Sequence, residues 1–232
     1  MINIKPNLSI VLPAYNEEEN IGSFLKKTID YAKKNTKKYE ILVINDGSKD
    51  NTEREIVKVK RLDKNIRVIK HKVNKGFGEA EKTGLRNSKL DFVTLVPTDH
   101  QFDIKELNRY FPLFEKGADI VMGVRKKRKD PFMRLIYSRI YALMVYFLFG
   151  TTWYRDMNWV KVYRKQIIDS IDITSGGAFV DAEIIIKAHR KGYKIKEVGV
   201  THYPRERGTA SGANIKLIVN LLKELFLLYR KT

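Results

Sequence analysis

Three times in its first hundred residues the chain runs through a short apolar stretch and stops abruptly in polar, turn-forming residues. The middle instance constrains the fold most. Ile41-Leu42-Val43-Ile44 gives way to Asn45-Asp46-Gly47-Ser48 within Lys38–Thr52, KYEILVINDGSKDNT. A run this rich in β-branched residues suits a strand buried on both faces, as in a parallel sheet. The polar residues then leave the carboxyl end of that strand, the edge where open α/β sheets hold their ligands. A plain strand–turn–helix joint also explains them, since Asp and Ser cap helices and Gly turns chains. Leu8–Asn16 (LSIVLPAYN) and Asp91–Gln101 (DFVTLVPTDHQ) repeat the pattern.

Between these runs lie stretches of helical period. After Asn16, the residues Ile21, Leu25, Ile29 and Ala32 recur at helical spacing, and Asn16 with Glu19 has the form of a capping box. Glu17–Glu19 suit the positive end of such a helix. Strand, helix and strand in this order make a βαβ unit and hence a parallel sheet. Ile66–Ile69 reads as a further strand and Glu79–Asn87 as a helix, with Asn74-Lys75-Gly76-Phe77-Gly78 between them. Glycines flanking an aromatic let the backbone approach a ligand closely, although a plain loop into the helix accounts for them too.

These residues, in this order and spacing, resemble the family-two inverting glycosyltransferases. The resemblance rests on Ile10–Glu18 (IVLPAYNEE), Val43–Thr52 (VINDGSKDNT), Asn74–Gly84 (NKGFGEAEKTG) and the later FVDAEIIIKAHRKGYKIKEVGVTHYPR. The branch it looks like most is the dolichol-phosphate mannose synthase type, and it covers nearly the whole chain. It implies a single α/β nucleotide-sugar-binding domain of glycosyltransferase A-type, Rossmann-like, with a mostly parallel central sheet and amphipathic interfacial helices toward the C-terminus. Residues 1–125 would form the nucleotide-sugar half, 126–212 the acceptor half, and 213–232 a C-terminal amphipathic helix.

The resemblance also assigns residues. Pro13, Tyr15, Asn16, Glu17, Asn45, Asp46, Lys75, Gly76 and Thr98 would lie along the nucleotide. Asn45 stands where the family usually has a second acid, which leaves the identity of the base open. Asp99 and Gln101 would hold Mg²⁺ or Mn²⁺ against the donor diphosphate, although Pro97 replaces the first acid of the usual pair. Such a cation often takes only one or two carboxylates, with phosphates and waters completing its shell. His100 could add a nitrogen or be structural. Asp99, Arg125 and Arg205 are the expected catalytic groups, with the arginines on phosphate. Arg134 and Ser138, one helical turn apart, would bind the acceptor. Asp156–Arg164 matches the family's strand only loosely, and Ser211 sits one residue late after Arg205 and Gly208.

Bulk composition sets the remaining expectations. Lys and Arg number 45 against 27 acidic residues, a formal charge of +18 in 232 residues. That favours a polyanionic partner, whether nucleic acid, anionic lipid surface or phosphorylated substrate, or else a solvated lysine-rich surface. The acids at Asp46 and Asp99 would repel nucleic-acid phosphate and weigh against that class. Without cysteine there is no disulfide framework or thiolate metal site. The N-terminus lacks the layout of a signal peptide, and no 18-residue apolar run reads as a spanning helix. Arg134–Phe149 is apolar almost all round but only about 24 Å long, against a hydrocarbon core of about 30 Å. It suits a core helix or an interfacial one.

The expected activity is transfer of a hexosyl group from a nucleotide-diphosphate sugar to a polyprenyl (dolichyl) phosphate. It would occur peripherally on the cytoplasmic face of an anionic membrane, with the oligomeric state open. Two alternatives stand beside it: a hydroxyl acceptor with Asp181 as base, and a non-catalytic sugar-nucleotide-binding protein with a degenerate metal site.

Overall fold

The computed structural model describes residues 5–126, 132–152, 154–177, 179–204 and 224–230, with side chains 132–137 outside that set. The apolar runs form strands of one sheet. β1 (Asn7–Ala14) lies between β2 (Lys38–Asn45) and β4 (Phe92–Leu95), and β3 (Ile66–Lys70) flanks β2, all parallel. The seven strands run in the order β3-β2-β1-β4-β6-β5-β7. β5 (Ile120–Lys126) and β7 (Ile195–Thr201) pair in parallel. β6 (Lys161–Arg164) enters between β4 and β5, antiparallel to both. The first residue of β6 therefore lies at the edge where the parallel strands end.

Alternation along the strands sends side chains to two cores. Ile10, Leu12, Ile41 and Val43 meet Phe24, Leu25 and Ile29 of α1 (Ile21–Asn35), Ile56 and Val59 of α2 (Thr52–Lys60), and Phe111 and Phe114 of α4 (Phe111–Glu115). Val11, Leu42 and Ile44 face the other way. They meet α3 (Phe77–Asn87), α5 (Phe132–Phe149), α6 (Lys165–Ser170) and α7 (Val180–Arg190). Each fully buried aliphatic side chain contributes about 1.5–3 kcal/mol of transfer free energy, so covering both faces is what holds the sheet between its helices. Gly84 lets α3 settle on β1, because a Cβ there would stand 2.1 Å from Val11 Cγ1.

The first helix does not begin where its capping box predicts. α1 starts at Ile21 after Asn20, because the Asn16 side chain reaches across the chain and accepts from Lys49 N at 2.9 Å. Glu17 O takes the amides of Asn20 and Ile21 instead. Before β5 the chain makes a 3-10 turn, Ile104–Arg109, and then α4. Only residues 161–164 of the Asp156–Arg164 stretch are strand. Residues 224–230 are helical, the described part of the C-terminal amphipathic segment. No helix among the described residues is long and apolar enough to cross a membrane.

Candidate functional site

The carboxyl ends of β1, β2 and β4 deliver three loops to one edge of the sheet. Asp46 N donates to Ala14 O at 2.9 Å, which joins the β1 and β2 loops at their roots. Asn16 N donates to Ser48 Oγ at 3.1 Å and Glu17 N to Thr52 Oγ1 at 2.8 Å. Asn16 adopts φ 53°, a left-handed conformation that Asn tolerates better than most residues. Tyr15, by contrast, is largely exposed. Asn45 Oδ1 accepts from Ser48 N, and the Glu17 carboxylate from Asn20 Nδ2. Thr98 is buried with its hydroxyl toward Pro13 O.

Asp46 is 3% exposed, and protein donors face both its oxygens. Oδ1 takes Lys75 N at 3.0 Å and Oδ2 takes Gly76 N at 2.9 Å, while His71 Nδ1 lies 2.6 Å from Oδ1. His71 Nε2 in turn meets Thr83 Oγ1 at 3.0 Å. The carboxylate thus fixes the Lys75–Gly76 loop and reaches the open edge through it. Gly47, φ 69°, passes directly under this loop; a Cβ there would stand 2.5 Å from the Val73 carbonyl carbon. Lys75 is exposed and Gly76 has φ 91°.

At the end of β4, Asp99 Oδ1 accepts from Gln101 N at 3.2 Å. His202, which follows β7, brings Nε2 to 3.4 Å from Gln101 Nε2, and Tyr203 N donates to Gln101 O. The Gln101 side-chain amide and the His202 imidazole are thereby neighbours, with the Asp99 carboxylate on the backbone of the same turn. Among the described residues no group of three or more His, Cys, Asp or Glu could hold a metal on its own. The donor set fits a cation that draws the rest of its shell from diphosphate oxygens and water. His100 takes no part: it is buried with φ 62° against α1, meeting Ser23 and Lys27, with its ring edge-on to Phe24.

The Arg125 guanidinium makes a two-point ion pair with Asp156, at 2.7 and 2.8 Å, and lies 4.4 Å from the Trp159 ring centre. Side chain and partner are both buried. Arg125 consequently props the Trp159 wall and is not the open phosphate clamp the sequence suggests. Ser138 is half-buried on α5. The Arg134 side chain, and Arg205, Gly208 and Ser211 entirely, lie outside the described residues.

Beside Pro97 a cavity of about 170 Å³ opens between α3, β4, β6 and α7. Its polar wall is Glu81, Lys161 and Asp181, with Tyr163 behind. The Lys161 ammonium is bonded to Asp181 Oδ1 and donates to Trp159 O at 2.8 Å. Burial, then the neighbouring charge and hydrogen bond of Asp181, push the Glu81 carboxyl well above the usual range against the pull of Lys161.

Sequence reasoning missed His71, Glu81, Lys161 and His202. A signal existed for two of them. Glu81 sits one turn before Leu85 on the buried face of α3, and Lys161 opens β6 between Val160 and Val162; both are charges where a core residue belongs.

Residues 9–187 match the family described as Glycosyl transferase family 2. The chain belongs to glycosyl transferase family 2. Among the relatives of this family member is the undecaprenyl-phosphate 4-deoxy-4-formamido-L-arabinose transferase of Proteus mirabilis (strain HI4320). It is 28% identical over 221 residues, 94% of this chain and 66% of that protein. The enzyme of that name from Serratia proteamaculans (strain 568) is 29% identical over 230 residues, 97% of this chain and 69% of its own. The chain thus spans about two thirds of the length of these relatives. The fold of this family-two chain also resembles glucosyl-3-phosphoglycerate synthase from Mycobacterium tuberculosis in complex with Mn²⁺, UDP-glucose and phosphoglyceric acid. That match has a TM-score of 0.75 at 17% identity, over 97% of this chain and 80% of the other. The architecture is accordingly the glycosyltransferase A-type α/β fold expected from the sequence.

Proposed function

We infer that this family-two glycosyltransferase moves a glycosyl group from a nucleotide-diphosphate sugar to a polyprenyl phosphate. The observation that carries the reading is similarity along 94% and 97% of the chain to two undecaprenyl-phosphate transferases. The loops of β1, β2 and β4 supply a matching edge. In the inferred reaction an oxygen of the acceptor phosphate attacks the anomeric carbon. The bond from that carbon to the diphosphate oxygen breaks with inversion, and the nucleoside diphosphate leaves with the electron pair. The acceptor is already an anion, so no strong general base is required; positioning and charge stabilisation carry the rate.

Asp99 and Gln101, with His202 alongside, are the residues that would hold Mg²⁺ or Mn²⁺, which offsets charge developing on the leaving diphosphate. Arg134 and Arg205 are retained as the phosphate-binding groups for the acceptor, since a guanidinium fork matches phosphate oxygens. A hexosyl donor, a dolichyl-type acceptor and peripheral action on the cytoplasmic membrane face belong to the same reading. Support for the membrane comes from the exposed Ile140, Phe147, Phe226 and Leu227 on α5 and residues 224–230. The Phe149–Tyr229 ring contact sets those two helices side by side. A hydroxyl acceptor with Asp181 as base is disfavoured, because Asp181 is bonded to a buried ammonium.

The test is radiolabel transfer from a panel of uridine and guanosine diphosphate hexoses and pentoses to undecaprenyl phosphate, with Mn²⁺ or Mg²⁺ supplied. Product lipid with the inverted anomeric linkage is expected. Transfer to free sugar or protein hydroxyls, with none to the lipid phosphate, would overturn it.

A further inference from the structure

From Thr98 to Phe102 the chain buries every second side chain. Thr98 turns its hydroxyl toward Pro13 O, His100 enters the face of α1, and Phe102 packs edge-on against Tyr110 and Trp159. Asp99 and Gln101, between these buried positions, stay half-buried. The loop assigned to the cation is therefore held from beneath by residues that are not its ligands. Of the three, His100 alone departs from ordinary backbone geometry, at φ 62°. A side chain other than glycine persists in this left-handed region only where its surroundings compel it.

The surroundings here are polar at both ring nitrogens. Ser23 Oγ lies 3.2 Å from His100 Nε2, and Lys27 Nζ lies 3.4 Å from Nδ1. Ser23 donates its own hydrogen to Asn20 O at 2.9 Å, so its oxygen is left to accept from Nε2–H. Nδ1 is then the acceptor for the Lys27 ammonium. The Phe24 ring, edge-on at 5.2 Å, closes the slot. Ser23, Phe24 and Lys27 share one face of α1, the helix that follows the β1 loop. His100 thus ties the cation loop to the element that carries a loop assigned to the nucleotide. Released from α1, residue 100 could return to ordinary φ values, and that rotation would turn Asp99 relative to Gln101.

We propose that His100 is a positioning residue for the divalent cation. Its bonds to Ser23 and Lys27 hold the left-handed turn that presents Asp99 and Gln101 to one ion, and it contributes no ligand itself. The proposal rests on the glycosyl-transfer reading with its cation at Asp99 and Gln101, and adds α1 as the support of that site. A cation that draws most of its shell from phosphate and water depends on how its few protein ligands are aimed.

Mn²⁺ titration of the full chain with saturating UDP or GDP, followed by electron paramagnetic resonance, tests this beside calorimetry of each diphosphate in EDTA. His100→Gly removes the ring and leaves the turn unstrained. It should weaken Mn²⁺ about tenfold and shift metal-free diphosphate binding less than about twofold. Ser23→Ala cuts the bond to Nε2 from the α1 side and leaves the loop sequence intact. It should weaken Mn²⁺ at least about twofold, and it carries the test where His100→Gly does not fold. His100→Gln returns an amide donor toward Ser23 and should bring Mn²⁺ affinity back to within about threefold of the parent. Parent-like Mn²⁺ affinity in His100→Gly or Ser23→Ala would overturn the proposal, as would no recovery in His100→Gln. Equal losses of Mn²⁺ and of metal-free diphosphate would overturn it too, since they mark a general packing role. A parent chain that binds diphosphate but no Mn²⁺ would overturn the cation assignment and this proposal with it, leaving the transfer reading standing. Failure of both diphosphates to bind would overturn the transfer reading itself.

Discussion

At the scale of single residues, buried carboxylates organise the edge of this molecule. Asp46 serves three donors at once. Asp46→Asn turns an amide group toward at least one of those N–H donors. It should lower the free energy of unfolding by about 1–3 kcal/mol, the usual penalty for a buried polar group left unpaired. Urea denaturation reads this directly, and unchanged stability would mean that Asp46 does not hold the Lys75–Gly76 loop. Glu183, in the first turn of α7, does comparable work. Burial alone would raise its pKa, but Lys187, Thr174 and the amides of 174 and 175 outweigh that and hold it down to about 2, from 4.5. A carboxyl depressed in the folded state stabilises fully above its unfolded value and loses that contribution as pH falls toward the folded one. Glu183 should thus contribute roughly 3 kcal/mol above pH 4.5, fading toward pH 2. Denaturation of Glu183→Gln beside the parent should show a stability gap that closes across this window; a gap constant with pH would contradict the assignment.

At the scale of elements, α3 closes tightly on the loop before α7. A Cβ on Gly78 would stand 1.9 Å from Gly177 O, a backbone atom with nowhere to move cheaply. Gly78→Ala should therefore destabilise by about 1–3 kcal/mol despite the better helix propensity of alanine, because overpacking outweighs it. A melting temperature equal to or above the parent's would show that the loop yields. Elements built from local pattern were legible in the sequence: the strand ends at Asn16, Asp46 and Asp99, and the helices between them, follow from period and turn chemistry. The start of α1 was misread because the Asn16 side chain bonds Lys49, over thirty residues on. Glu81, Lys161 and Asp181 were unreadable as a group for the same reason. Each comes from a different element, and only the fold brings them together.

At the scale of the whole molecule, the +18 charge and the exposed aromatic and aliphatic side chains of α5 and residues 224–230 describe a surface suited to anionic lipid. Co-sedimentation with phosphatidylglycerol vesicles should exceed that with phosphatidylcholine and fall as salt is raised. Phe147→Ser with Phe226→Ser should weaken it further, and salt-independent or absent sedimentation would dismiss the surface. The reversed strand β6 bears on how such a molecule is made. β1 to β4 can pair with one another once residue 95 has been synthesised. β5 finds its neighbours only in β6 and β7, both later in the chain. On a ribosome, where segments fold in the order they emerge, the first four strands can assemble early. β5 must wait as an unpaired edge until residues 161–164 thread in beside it. The half of the sheet that carries the β1, β2 and β4 loops thus exists before the half that completes the cavity wall.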